Sequence, residues 1–283
     1  MSNARKVALI TGASAGLGAA FARAYARNDH DLVLVARRRD RLEALAFELK
    51  EKHDANSLVI VADLCDPAAP EAIERAVAEA GCQIDVLVNN AGYSTHMPFR
   101  HETVDGSSRY LQALMMAPVQ LVIRLLPAML ARGSGRILNV SSIAGLAVGI
   151  PGTAFYSATK SFLIKWSEAL NAELAEHGVH VTALCPGPTQ TDFLATAGPL
   201  VEREMAKVPS YMFLSADACA AIGIRALERN TPVVISGGWA RLMVFIGNIL
   251  PKRMQWAGIR KRAKQLDKDF PEAPESSRTT PVG

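Results

Sequence analysis

Seven short apolar runs alternate with longer helical patterns along almost all of the 283 residues, and this alternation constrains the fold more than any other feature. The runs are Lys6–Ile10, Asp31–Ala36, Ser57–Val61, Ile84–Val88, Arg136–Val140, Val179–Cys185 and Pro232–Ile235. Because nearly all of their residues are apolar, they read as strands buried on both faces of a parallel sheet. We therefore predict an α/β fold, a single doubly wound domain with a mostly parallel seven-stranded sheet flanked by helices.

The clearest helical periodicity lies in Ala158–His177, which Gly178 follows as a C-cap. In a doubly wound sheet the ligand crevice lies at the carboxyl ends of the strands. The residues that follow each predicted strand are therefore the candidate site residues.

Charge is distributed unevenly along the chain. Residues 1–240 hold 22 Lys and Arg against 23 Asp and Glu, whereas residues 241–283 hold 9 against 4. The part up to residue 240 is close to neutral, which argues against nucleic acid as the main partner, because proteins that track phosphates cluster cations on the folded body. A composition of 49% hydrophobic and 20% charged residues also excludes a disordered chain.

The cysteines indicate reduced thiols and no metal site. Cys65, Cys82, Cys185 and Cys219 are isolated, with no CxxC pair and no histidine at zinc spacing. The apolar run before Thr11 is too short for the core of a signal peptide. We therefore expect a cytoplasmic protein.

A glycine-rich turn follows the first strand. In the segment Thr11–Gly18, glycines stand at Gly12, Gly16 and Gly18, and a helix begins directly afterwards. Glycines permit a tight turn and a close approach of the backbone to a pyrophosphate, and a helix start offers unpaired N–H groups. This placement predicts a dinucleotide site, and the alternative is a purely structural turn.

The end of the second strand predicts which dinucleotide binds. A carboxylate there would bond the ribose 2′-hydroxyl of NAD, but the chain has Ala36 and then Arg37, 19 residues after Gly18. Because a guanidinium suits a 2′-phosphate, we expect NADP(H). The alternative is that Arg37–Arg39 form a solvated helix start.

A phenol and an ammonium stand one helical turn apart in Tyr156-Ser157-Ala158-Thr159-Lys160. A nearby cation stabilises a phenolate and so favours a lower pKa of Tyr156. Such a tyrosine can give a proton to a carbonyl oxygen or take one from an alcohol. The alternative is a surface tyrosine beside a surface lysine.

Several ordered motifs together resemble the short-chain dehydrogenase/reductase family over roughly residues 5–240. They are TGASAGLG, Asp63, Asn89-Asn90-Ala91-Gly92, Ser142, YSATK and Pro186-Gly187. The resemblance implies a Rossmann-like domain and an NADP-preferring carbonyl reductase in which Tyr156 is the general acid/base. It also implies that Lys160 lowers the pKa of Tyr156 and holds the nicotinamide ribose, and that Ser142 bonds the substrate oxygen.

The same resemblance implies a set of cofactor contacts. They are Gly12, Ser14, Gly16, Leu17, Gly18, Arg37, Asp63, Leu64, Asn90, Ala91, Gly92, Tyr156, Lys160, Pro186, Gly187, Thr189 and Thr191.

Two positions depart from the family pattern. Where the family has an asparagine that holds a water linked to the catalytic lysine, the chain has Leu114, so either the proton relay takes another route, turnover is reduced, or the ungapped match is displaced. Ser142 and Tyr156 are 14 residues apart, one more than is common in the family, and Ser141 is the alternative serine.

The segment after Pro186-Gly187 suggests the substrate. Within residues 192–214 the apolar and Met-rich stretches predict a cover for a bulky hydrophobic ketone, aldehyde or alcohol, and the alternative is packing against a second subunit in a homodimer or homotetramer. The catalytic domain is thus assigned to residues 1–240. A non-catalytic NADP-binding regulator and a membrane-surface reductase of lipids remain the alternative functions.

The C-terminal extension, residues 241–269, combines the apolar run Leu242–Leu250 with seven later cations. This suits peripheral contact with an anionic membrane. The competing interpretation is a C-terminal helix that closes either the substrate pocket or a dimer interface. It is favoured because the charges do not form one clean stripe. Residues 270–283 lack apolar periodicity and are expected to be disordered.

Overall fold

The computed structural model describes residues 5–94, 96–191, 206 and 208–270, and its centre is a parallel sheet. The strands are β1 Lys6–Thr11, β2 His30–Ala36, β3 Ser57–Val61, β4 Ile84–Asn89, β5 Gly135–Val140, β6 Val179–Pro186, β7 Thr189–Gln190, β8 Leu214–Ser215 and β9 Val233–Ser236. Seven of them form one sheet in the order β3-β2-β1-β4-β5-β6-β9, with every neighbouring pair parallel. β7 and β8 form a separate short pair.

Helices connect the strands and cover both faces of the sheet. They are α1 Gly16–Arg27, α2 Arg39–His53, α3 Ala69–Glu79, α4 Val104–Leu111, α5 Ala117–Arg132, α6 Ala154–Leu174, α7 Ala216–Glu228, α8 Gly238–Ile249 and α9 Lys252–Asp269. The order of the strands reverses direction between β1 and β4, which creates the crevice typical of doubly wound sheets. The predicted fold class, a single Rossmann-like α/β domain with seven main strands, is confirmed.

Two apolar cores flank the sheet. One contains Phe21 and Tyr25 of α1 with Leu42 of α2, and the other contains Ile73 of α3 and Leu121 of α5. Strands β1 to β6 each supply side chains to both cores, which explains why their sequences are continuously apolar rather than alternating.

The helical run Val104–Arg132 is long and apolar enough, by those two criteria alone, to cross a bilayer. It contains α4, a π-helical turn at Gln112–Met116, and α5. One face of the run is buried in the second core through residues such as Tyr110, Leu114 and Leu121. We therefore interpret it as a core helix of the α/β fold.

The predicted start of the long helix, Ala158, is wrong by four residues. α6 begins at Ala154, so Tyr156 lies in its first turn rather than before it. The first turn contains no apolar stripe, but Thr153 secures it, since its carbonyl accepts from the Ser157 N–H at 2.8 Å and the two hydroxyls are 2.9 Å apart. At the other end, Gly178 adopts φ 74° after a short 3₁₀ turn, as predicted for the C-cap.

Two sequence predictions fall partly or wholly outside the described residues. The substrate-covering segment at 192–214 includes residues 192–205 and 207, which are not described. Of the predicted disordered tail, residues 271–283 are not described either. The proposed division at residue 240 remains a prediction.

In the crevice, the backbone at position 18 lies so close to the backbone at Gly12 that only glycine fits there. A β-carbon there would lie 2.2 Å from the Gly12 carbonyl oxygen, whereas a β-carbon on Gly258, also in a helix, would meet nothing within 4 Å. We expect Gly18→Ala to lower the free energy of unfolding by about 1–3 kcal/mol through strain. Gly258→Ala is the matched control and should not lower it, because alanine favours a helix by up to about 1 kcal/mol. Urea unfolding of both variants provides the measurement, and equal stabilities would contradict the steric argument.

Candidate active site

The glycine-rich turn connects β1 to α1 at the carboxyl edge of the sheet. Gly12 and Gly16 adopt φ values of 68° and 53°, a left-handed conformation that disfavours other residues. The residue before α1, Ala15, provides no side-chain cap for the helix. The helix N–H groups therefore face the crevice without a side-chain partner at the N-cap, which is the arrangement that accepts an anionic group.

Thr11 and Asn90 hold this turn against the end of β4. The Thr11 hydroxyl accepts from the backbone N–H groups of Asn90 and Ala91, both at 3.0 Å, and donates to the Val88 carbonyl. The Asn90 amide donates to the Thr11 carbonyl at 2.9 Å. Sequence reasoning placed Asn90 at the cofactor but missed its role in fixing the turn. It also left Thr11 out, although Thr11 opens the motif.

Two arginines lie beside the turn at the end of β2. The Arg38 guanidinium donates to the Ser14 hydroxyl at 2.9 Å, and Arg37 is exposed at the start of the same connection. The structure thus brings the predicted residues Ser14 and Arg37 to one end of the crevice. It adds Arg38, which sequence reasoning passed over because consecutive arginines before a helix resemble a solvated helix start.

Asp63 and Leu64 lie in the loop that follows β3, next to the end of β2 in the sheet. Asp63 accepts from the Cys65 N–H at 3.1 Å, which fixes the turn, and Leu64 is buried. These two residues therefore border the same end of the crevice as the arginines.

Tyr156 and Ser142 meet at the carboxyl end of β5. Their side chains are hydrogen-bonded, and the Ser142 hydroxyl also accepts from the Ala144 N–H at 3.1 Å. The alternative serine, Ser141, has a different use, because its hydroxyl donates to the Lys160 carbonyl at 2.7 Å in the protein interior. The geometry therefore favours Ser142 over Ser141 as the partner of Tyr156.

Lys160 is a buried cation beneath this pair. Only 5% of the residue is exposed, its Nζ donates to the Val140 carbonyl at 2.8 Å, and it lies 5.8 Å from the centre of the Tyr156 ring. Removal from water disfavours the charged form, so burial lowers the pKa of Lys160 to about 8. The ammonium can therefore give up a proton close to neutral pH.

The sequence predicted that Lys160 lowers the pKa of Tyr156, but in the structure the pKa of Tyr156 is raised. Burial raises the pKa of Tyr156 above its ordinary value, and the hydrogen bond with Ser142 opposes that rise. The Lys160 amine bonds a backbone carbonyl rather than the phenol oxygen. With these groups alone, Tyr156 keeps its proton at neutral pH and is a proton donor.

Leu114 lies in the π-helical turn and is 1% exposed. Its Cγ and the Lys160 Nζ are 3.9 and 3.7 Å from the point that a β-carbon on Gly92 would occupy. Leu114 and the Lys160 amine thus both lie beside Gly92, in the same part of the interior. An apolar side chain there cannot bind a water, so a relay through this position is not available to the chain.

The loop after β6 closes the other side of the crevice. A β-carbon on Gly187 would be 2.5 Å from the Ala240 Cβ, and one on Gly16 would be 3.2 Å from the Thr191 Cβ. The Thr189 hydroxyl donates to the Gly187 carbonyl at 2.9 Å. The loop after β6 thus runs from the start of α8 to the glycine-rich turn. It contains the predicted residues Pro186, Gly187, Thr189 and Thr191.

A pocket opens between this loop and α8. The described residues that line it include Pro188, Met212, Phe213, Leu214 and Trp239. Its walls combine these apolar side chains with the backbone of three glycines and the side chain of Ser236. Every predicted site residue falls within the described part of the chain, at or after the carboxyl ends of the strands.

Comparisons with known proteins agree with this arrangement. A family model described as short chain dehydrogenase matches residues 6–199. A ketoacyl reductase, HetN of Nostoc sp., is 30% identical over 97% of this chain and 98% of its own length.

Two solved structures extend the likeness over nearly the whole chain. A short-chain dehydrogenase from Sphingobium yanoikuyae in complex with NADPH has a TM-score of 0.74 and 31% identity, covering 96% of this chain and 99% of the other. A bulky-bulky ketone specific alcohol dehydrogenase from Comamonas testosteroni has a TM-score of 0.70 and 27% identity, covering 98% and 99%.

The lowered pKa of Lys160 predicts a pH-dependent stability. Between about pH 8 and the unfolded value near 10.4 the unfolded chain binds more protons than the folded one, so stability rises with pH in that window. In the variant Lys160→Met, the side chain at this position does not titrate in that pH window. From pH 7 to pH 10 we expect the cofactor-free wild type to gain about 2 kcal/mol relative to Lys160→Met.

Urea unfolding of both proteins at each pH gives this difference directly. Lys165→Met, which removes an exposed lysine from the same helix, is the control and should show no such trend. A constant difference between wild type and Lys160→Met would mean that the pKa of Lys160 is not lowered.

Proposed function

Because the chain belongs to the short-chain dehydrogenase/reductase family, we propose that this oxidoreductase is an NADPH-dependent reductase of bulky hydrophobic ketones or aldehydes. The observation that carries the proposal is the hydrogen-bonded Ser142–Tyr156 pair above the buried Lys160, at the carboxyl edge of a doubly wound sheet. The reverse reaction, oxidation of the alcohol, uses the same residues.

The chain's own residues supply the acid chemistry. The Ser142 and Tyr156 hydroxyls form a pair that can both hydrogen-bond one carbonyl oxygen. Tyr156, whose raised pKa keeps it protonated, gives its proton to that oxygen as negative charge develops there. The Lys160 ammonium stabilises the phenolate that remains, and its pKa of about 8 makes it a ready proton source for Tyr156. Bound NADPH would supply the hydride.

The crevice fits an NADP(H) molecule. The open N terminus of α1 suits the pyrophosphate, and Arg37 with the Ser14-bound Arg38 suits a 2′-phosphate. A similar solved structure, the Sphingobium yanoikuyae enzyme, was determined with NADPH. Asn90 to Gly92, Lys160 and Pro186 to Thr191 would hold the nicotinamide half.

Three large apolar side chains of the pocket support a bulky hydrophobic substrate. Met212, Phe213 and Trp239 offer large apolar surfaces and no charge. The similar Comamonas testosteroni enzyme is described as specific for bulky-bulky ketones.

A catalytically weak NADP-binding regulator is the second candidate, and one observation favours it. Leu114 places an apolar side chain next to Lys160, which removes a site for a relaying water. Such a regulator would bind NADPH but would not consume it with any ketone.

The arginines at the end of β2 predict the cofactor preference. A charged hydrogen bond contributes about 1.5–3 kcal/mol, so the ratio of kcat/KM for NADPH over NADH should exceed about tenfold. Arg37→Ala and Arg38→Ala should each lower that ratio by about tenfold and weaken NADPH binding in a fluorescence titration. Arg39→Ala is the matched control, because Arg39 pairs with Glu43 within α2. A wild type that uses both cofactors equally would refute the assignment.

The hydroxyl pair predicts the outcome of a turnover assay. With a panel of aryl and bulky alkyl ketones the wild type should consume NADPH, measured by its absorbance. Tyr156→Phe should lower kcat by about 10²–10⁴ while NADPH affinity stays nearly unchanged, since only the proton donor is removed.

A matched serine pair provides the control. Ser142→Ala should lower kcat, whereas Ser141→Ala should mainly lower stability, because Ser141 bonds the Lys160 carbonyl. Tight NADPH binding without turnover on any ketone would favour the regulator instead.

A further inference from the structure

Helix α8 presents a large apolar face that no described residue covers. Among its residues only Ala240 is buried. Leu242, Phe245, Ile246 and Ile249 point away from Ala240, because at 3.6 residues per turn they fall on the opposite half of the helix. All four are exposed, Phe245 at 61% and Ile249 at 63%. Side chains of this kind are normally covered, so the face requires a partner.

Helix α9 has one packed face and one cationic face. Its packed face rests on the domain near the active site, where Leu266 methyl groups lie 3.2 and 3.3 Å from the β-carbon position of Gly152. Arg100 pairs with Asp267 at 2.5 Å, and the His101 ring contacts Phe270. These contacts fix the orientation of the helix.

With the orientation known, most of the cations of α9 form a stripe. Five of its seven lysines and arginines lie within an arc of about 100° on the side opposite the packed face. They are Arg253, Arg260, Lys261, Lys264 and Lys268, all exposed. The other two, Lys252 and Arg262, lie on the side of the packed face, so the seven charges taken together form no clean stripe, as the sequence indicated.

Hydrogen bonds connect the two helices. The Gln255 amide donates to the carbonyls of Gly247 and Leu250 at 2.9 and 2.7 Å, which ties the start of α9 to the end of α8. Leu250, Met254 and Trp256, near the junction of the two helices, are also exposed. We call residues 238–269 the C-terminal hairpin.

We propose that the C-terminal hairpin docks the protein on the surface of a membrane that contains anionic lipids. An apolar helix beside a cationic one matches such a surface, because the apolar side chains enter the boundary of the acyl region while the cations meet the headgroups. At 12 residues, α8 is too short to cross a bilayer, so it would lie in the interface.

Charge also argues against a second copy of the chain as the occupant. In a two-fold dimer the same patch meets itself, so the cationic stripes of the two copies would approach each other. An anionic surface removes that repulsion and gains from every cation. The charge on the hairpin thus favours lipid over self-association.

The hairpin lies beyond residue 199, where the match to the family model ends. Its binding to lipid does not depend on the proposed reductase activity. Trp239 and Ala240, at the start of α8, line the pocket. Docking would therefore bring the pocket close to the lipid, and the inference that the substrate is lipophilic and membrane-dissolved rests on the proposed function.

The test is cosedimentation of the full-length protein with vesicles of phosphatidylcholine alone or with about one third phosphatidylglycerol. We expect binding to the mixed vesicles at low salt, and at least about tenfold weaker binding to phosphatidylcholine alone. Raising the salt to about 1 M, where the Debye length is about 3 Å, should remove most of the difference.

Paired variants separate the two contributions. Phe245→Ser combined with Ile249→Ser should weaken binding to both kinds of vesicle, whereas Phe47→Ser, which alters a phenylalanine 69% exposed on α2, should not. Lys261→Glu combined with Lys264→Glu should weaken binding to the mixed vesicles by at least about 25-fold, since each cation near the lipid contributes about fivefold and each glutamate adds repulsion. Arg27→Glu combined with Arg75→Glu makes the same change in net charge elsewhere and should have little effect.

Two outcomes would overturn the proposal. One is a full-length protein that fails to sediment with mixed vesicles even at low salt. The other is an oligomer, measured by light scattering, that the Phe245→Ser and Ile249→Ser changes dissociate while vesicle binding is absent, which would identify a second copy as the occupant. Ketone turnover by the unbound protein is measured in parallel, so loss of lipid binding and loss of activity are distinguished.

Discussion

The hydroxyl of Thr11 joins the two central strands at the edge where the site lies. It accepts two backbone N–H groups from the residues that follow β4 and donates to the Val88 carbonyl, so the ends of β1 and β4 cannot separate. Asn90 completes the connection from the other side. The glycine turn depends on this contact, because its close approach leaves no room for a β-carbon at Gly12 or Gly18. The open start of α1 in turn depends on the glycine turn.

Below this edge the protein keeps a cation out of water. Burial of Lys160 costs stability, since a single carbonyl bond does not replace the hydration of an ammonium. The surrounding polar groups already have other partners. Ser141 bonds the lysine's own carbonyl, and Asn89, Asn139 and Ser167 form a separate buried chain of hydrogen bonds. The result is an ammonium close to its titration point beside a phenol that keeps its proton, which is a suitable pair for donating a proton to a carbonyl oxygen.

The C-terminal hairpin uses its two sides for different purposes. One side of α9 packs against residues near Gly152, which lies one helical turn before Tyr156, and the start of α8 lies against Gly187. Apolar groups of α8 and cations of α9 are exposed to solvent. The part of the chain most distant from the family motifs therefore both completes the pocket and forms the surface that we propose for lipid.

The sequence alone determined the α/β fold, because strands buried on both faces must be continuously apolar and each parallel connection must contain a crossover. It also determined the order of the motifs, and with it the edge of the sheet where Gly12, Ser142, Tyr156 and Lys160 meet. Local patterns did not show that α6 begins at Ala154, since its first turn, which contains Phe155 and Tyr156, is secured by hydrogen bonds with Thr153 rather than by a periodic apolar stripe. Only the tertiary structure decided that Ser142 rather than Ser141 bonds Tyr156, that Arg38 reaches Ser14, and which face of α9 is free. Each of these depends on contacts between residues far apart in the chain, such as Gly152 with Leu266, and periodicity along a single segment carries no information about its distant partners.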